Sequence, residues 1–129
     1  MANNTLIITT FNTQFGECLD DIMNIYPDES KFKKYKRYVD SVKKMNPSLI
    51  IKVWKRHITD KYEKIIEEED IDYFLKKDYK SDLIDLEKPK PVEEIIDDIR
   101  NMIKDMSIEN KTRSFKYIQN LTKLSKHYV

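Results

Sequence analysis

Gly16 is the only glycine in 129 residues. Tight hairpin turns lean on glycine for positive φ, so a chain with one glycine and four prolines is steered away from a multi-stranded sheet. It is steered towards helices joined by polar loops. The apolar residues, 40% of the chain, recur at steps of three and four, the period of one helix face. A length of 129 residues suits one ordinary domain and is short for two. The expected fold is all-α: a single compact bundle of five to six helices, with residues 1–129 in one domain.

The stripes can be followed one by one. Ile7, Phe11, Phe15, Cys18, Ile22 and Ile25 or Tyr26 form the first, which Pro27 stops; the β-branched Ile7 to Thr10 leave an extended start open. Gly16 inside this stripe suggests a close crossing of helices. Asp28 is placed to cap a second helix with Phe32, Tyr35, Val39, Val42 and Met45 facing inward. Asn46 and Pro47 suit an N-cap and first helical position, so a third helix starts there. It carries Leu49, Ile50, Val53, Trp54 and Ile58 and continues, bent near Thr59 and Asp60, through Tyr62, Ile65 and Ile66. A short helix holds Ile71, Phe74 and Leu75, and 78–91 reads as an irregular connector containing Pro89 and Pro91. Pro91 opens a helix with Val92, Ile95, Ile96, Ile99, Met102, Ile103 and Met106 on one side. Ser107 or Asn110 caps the last helix, with Phe115, Ile118, Leu121, Leu124 or Ser125, and Tyr128 inward.

Charge is sorted along the chain although the total is only +1. Residues 1–30 contain five acids and no base; 31–61 contain eleven bases against two acids; 62–98 contain six against fourteen; and 99–129 contain seven against two. On a helical wheel, Lys33, Lys34, Lys36, Arg37, Lys43 and Lys44 lie opposite the apolar arc of the second helix. On the third, Lys52, Lys55 and Arg56 lie opposite the arc that holds Trp54 and His57. Trp54 therefore belongs to the core, and His57 is expected to be partly buried and hydrogen-bonded. A basic face of this kind is solvated, pairs with the acidic 62–98 block of the same fold, or meets phosphates or an acidic protein. It also suits contact with the acidic surface of a second copy.

Few chemistries remain. One cysteine, Cys18, rules out an intramolecular disulfide and suggests a buried thiol in a reducing compartment. One cysteine with His57 and His127 does not make a structural zinc set, and no glycine-rich phosphate loop or H-E-x-x-H motif is present. No cofactor, metal ligand or catalytic residue is assigned. Carboxylates at helical spacing recur as Glu17 with Asp20 and Asp21, Glu67 with Asp70, and Glu94 with Asp97 and Asp98. They resemble the E-x-x-D element of all-α nucleotide pyrophosphatases, whose pairs sit closer in sequence, and the competing reading is a solvated acidic face. Tyr73 and Tyr79, flanking Lys76 and Lys77, fall on no apolar arc. "MANNTLIITTF" has neither a basic leader nor a long apolar run, so no signal peptide or membrane span is expected.

Four stretches, "FNTQFGECLDDIMNIYPD" (11–28), "NPSLIIKVWKRHI" (46–58), "DYFLKKDY" (72–79) and "FKYIQNLTKLSKHY" (115–128), resemble a family of short uncharacterised proteins of large nucleocytoplasmic DNA viruses (giant viruses) of algae and protists. The likeness spans nearly the whole chain. It implies a setting in an infected cell, cytoplasm or nucleus, or in the virion, and brings no active site with it. The functional expectation is a non-enzymatic assembly or interaction protein, a homo-oligomer or a subunit of a complex. The alternative is nucleic-acid binding through Lys33, Lys34, Lys36, Arg37, Lys43, Lys44, Lys52, Lys55 and Arg56. A metal-dependent nucleotide pyrophosphatase is the minor alternative.

Overall fold

Asn4 to Ile25 forms one unbroken helix, α1, so the β-branched start is helical. This computed structural model describes residues 4–76 and 91–129, and every regular element among them is helical. Most of the 78–91 connector, with Pro89, Lys77 and Tyr79, lies outside the described residues, and so does the side chain of Lys76. After α1 come α2 (Ser30–Met45), α3 (Leu49–Trp54), a π-helical turn (Lys55–Thr59), α4 (Asp60–Glu67), α5 (Ile71–Lys76), α6 (Pro91–Lys104) and α7 (Ile108–His127). No described helix is long and apolar enough to cross a membrane.

The helix starts differ from expectation at two places. The N-cap of α2 is Glu29 and not Asp28, and it makes no side-chain cap bond. Asn46 closes α2 as its C-cap, its N–H bonding to Val42 O, while Ser48 precedes α3. Asn46 and Pro47 therefore form the corner between two helices, because the carbonyl of Asn46 accepts from Leu49 N at 3.1 Å. Pro91 does begin α6, and the hydroxyl of Ser107 accepts from Asn110 N at 3.3 Å to cap α7.

The core follows the stripes. Phe11, Phe15, Ile22, Phe32, Ile50, Trp54, Ile58, Ile66, Ile96 and Ile118 are all at most 1% exposed. Trp54 meets Phe11 and Phe15 edge-on, with centroids 6.1 and 6.2 Å away, an arrangement that favours the ring quadrupoles. Its indole N–H donates to Thr122 Oγ1 at 3.2 Å, so burial leaves no polar atom of the ring unpaired. Met45 departs from the pattern: at the last turn of α2 it is 84% exposed, because the chain turns away at Asn46 before another helix covers it.

The bend expected near Thr59 is the π-turn, which carries α3 into α4 without a break. A π-turn inserts an extra residue into the helical repeat. Here it buries the consecutive residues His57, Ile58 and Thr59, which on an α-helix span about 200°. Thr59 and Ser125 share a hydrogen bond of 2.6 Å, and His57 reaches α6. Gly16 also differs from expectation. A Cβ there would meet the ammonium groups of Lys36 and Lys43, at 3.0 and 3.4 Å, rather than the backbone of a crossing helix.

Candidate interaction surface

The sorted charges meet across helices. Lys36 Nζ bonds Asp20 at 3.2 Å and the carbonyl of Gly16 at 3.2 Å; Arg113 forks onto both oxygens of Asp21; and Lys126 Nζ lies 2.7 Å from both Glu63 and Glu67. Lys31 lies 3.7 Å from Asp98, and Arg56 lies 3.5 Å from Glu93. Each of these pairs joins a basic block of the sequence to an acidic one. Exposed pairs contribute little stability, about 0–1 kcal/mol each, so they follow the packing of the helices and do not direct it. The hydrogen bond donated by Lys126 holds the Glu67 carboxyl below its usual range, and donating to Glu63 and Glu67 pushes the Lys126 ammonium up.

A buried charge cluster sits where the π-turn meets α6. His57 Nε2 lies 3.0 Å from Asp97 Oδ1, and both side chains are 6% exposed. Arg100, 1% exposed, lies 3.5 Å from the same carboxylate oxygen, donates to Phe74 O at 2.9 Å and is flanked by the rings of Phe74 and Tyr62. Aromatic faces attract a guanidinium, so both rings favour the buried cation. Glu93, Asp97 and Arg100 stand one turn apart on the edge of the apolar arc of α6. That spacing is the signal the sequence carries for this cluster, set among isoleucines that mark the same edge as apolar.

Among the described residues, five of the eight carboxylates at E-x-x-D spacing bond side chains of other elements, Glu67 through Lys126. Asp20 and Asp21 bond Lys36 and Arg113, Asp97 bonds His57, and Asp98 accepts from the Tyr35 hydroxyl. Burial, and then that bond, raise the Tyr35 phenol above its ordinary value. No three metal-binding side chains converge among the described residues. Between α4 and α7 a shallow opening of about 200 Å³ is lined by Ile66 and Thr122, with Glu67 and Lys126, already paired with each other, at its rim.

The nine basic residues singled out in the sequence divide into two groups. Lys36 and Lys43 are half-buried against α1, the latter also 3.7 Å from Asp40; Lys55 donates to Tyr128 O at 2.8 Å; and Arg56 faces Glu93. Lys33, Lys34, Arg37 and Lys44 stand exposed on the outer side of α2, and Lys52 on α3; none makes an ion pair with a described residue. Lys33, Arg37 and Lys44, separated by one and two turns, form a single row within about 40° of arc. No family model, curated protein or solved structure matches this chain.

Proposed function

We propose that this chain is a non-enzymatic helical contact module, and that the outer face of α2 holds an anionic protein partner. One observation carries the reading. Five basic side chains, Lys31, Lys36, Arg56, Arg113 and Lys126, pair with carboxylates of other helices, whereas Lys33, Lys34, Arg37 and Lys44 share the outer side of α2, exposed and without an ion-pair partner among the described residues. Electrostatic steering of this kind speeds encounter and fixes orientation. The resemblance to proteins of giant viruses, taken as a guide to setting, agrees with a homo-oligomer or a subunit of a viral complex.

Nucleic acid is the second reading, since the same row would follow phosphates. Two features favour protein instead. The net charge is +1, where a nucleic-acid domain is usually strongly basic, and Tyr35 and Tyr38 of α2 are half-buried against the core rather than presented for stacking. The test compares the native chain with a Lys33→Glu, Arg37→Glu, Lys44→Glu variant on immobilised polyglutamate and on duplex DNA. Salt-sensitive retention on polyglutamate that the variant loses supports the reading. Stronger variant-sensitive retention on DNA replaces it with nucleic-acid binding, and equal retention of both chains removes the α2 face.

A further inference from the structure

α2 also ends in an exposed apolar residue. Met45 follows Lys44 directly, about 100° round the helix from it, and is 84% exposed, so a side chain that water solvates poorly stands beside the end of the cationic row. Elsewhere in the fold one corner has the opposite charge and the same design. Between α4 and α5, Glu68, Glu69, Asp70 and Asp72 are exposed and make no ion pair with a described residue. Beside them Tyr73 is 51% exposed. Asp70 accepts from the Tyr73 N–H at 3.2 Å, which caps the start of α5.

We infer that the occupant of the α2 face is a second copy of this chain, docked through this acidic corner, with Met45 of one copy against Tyr73 of the other. The inference rests on the reading of α2 as the contact surface and names its partner. Charge complementarity is the first argument: a row of cations on one element matches a cluster of carboxylates on another, and neither makes an ion pair with a described residue. The apolar pair is the second and is independent of charge. Protein interfaces combine a small apolar centre, often Tyr or Met, with a polar rim, and a thioether at an aromatic edge adds roughly 0.3–1.5 kcal/mol. A phosphate backbone offers nothing for Met45.

The two patches lie on separate parts of the fold. α2 packs chiefly on α1, whereas α5 packs on α4 and α6. One contact therefore leaves a free α2 face on one copy and a free corner on the other, and association runs head to tail until it closes. Salt screens such a contact over roughly 10 Å or less, so it weakens as ionic strength rises.

Sedimentation velocity on the full chain tests this. At low salt the native chain should sediment faster as concentration rises, and high salt should abolish the effect. The Lys33→Glu, Arg37→Glu, Lys44→Glu variant and a Glu68→Lys, Glu69→Lys, Asp72→Lys variant should each be monomeric, with circular dichroism unchanged because every altered side chain is exposed. Mixed together they should associate again, since the native corner of one variant meets the native α2 face of the other. Tyr73→Ser should weaken native association on the order of tenfold, about 1.4 kcal/mol, without removing its salt dependence. A native chain that is monomeric at low salt, or a mixture that stays monomeric, overturns the inference. If polyglutamate retention is still lost in the α2 variant, the contact-surface reading survives with another acidic protein as partner; if it is not, both fail.

Discussion

His57 Nε2 and Asp97 Oδ1 stand 3.0 Å apart in the interior, joining the π-turn to α6, and the same carboxylate faces Arg100 at 3.5 Å. One acidic side chain thus compensates a buried cation and orients an imidazole. Removing the carboxylate leaves the guanidinium buried without it, and breaking such a pair costs about 3–5 kcal/mol. Asp97→Ala should show that loss as a lower urea midpoint at unchanged m-value. Arg56→Ala, which takes a largely exposed cation away from the buried Glu93, should cost less than Asp97→Ala.

Trp54→Ala should destabilise the fold by about 3–5 kcal/mol, because it opens a cavity between Phe11 and Phe15 and leaves Thr122 without its indole donor. Lys55→Glu, one position on, should cost only about 1 kcal/mol through loss of the bond to Tyr128 O. Chemical denaturation of the two variants side by side checks the contrast.

Gly16→Ala separates a helix crossing from what is found at this position. The added methyl meets only the ends of two lysine side chains, which can move by a few tenths of an ångström. Alanine is the better helix former by about 0.8–1.0 kcal/mol, so the variant should be as stable as the native chain or slightly more so. A loss of more than about 1 kcal/mol in thermal or urea unfolding would restore the crossing.

Burial first, and then the nearby Asp21, push the Cys18 thiol up to about 12 from an ordinary value of 9.0. The folded state therefore holds its proton where the unfolded state gives it up. This contribution is fully present below pH 9.0 and is progressively lost as pH rises towards about 12. At neutral pH, Ellman's reagent should leave the native thiol untouched and label it rapidly in denaturant. Fast labelling of the native chain would contradict the burial.

Much of the fold is legible along the chain because helical periodicity is local. The stripes of α1, α6 and α7, the place of Trp54 on the inner arc, the start at Pro91 and the cap at Ser107 all follow from neighbours within a turn or two. Corners are less legible. Asn46 and Pro47 favour a helix start, yet the same residues close α2, and where the chain turns decides that Met45 faces water.

The use of the charges was not legible, because a lysine carries no local mark of its partner. The sequence by itself determined an all-α chain with apolar stripes and blocks of opposite charge. Only the tertiary structure decided that Lys36 turns inward to Asp20, 16 residues away, and Arg113 to Asp21, 92 away, while Lys33, Arg37 and Lys44 face outward. It likewise joined His57 to Asp97 across 40 residues. Ion pairs form between side chains that packing has already brought together, so their pattern follows from the arrangement of the helices and not from the order of residues within any one of them.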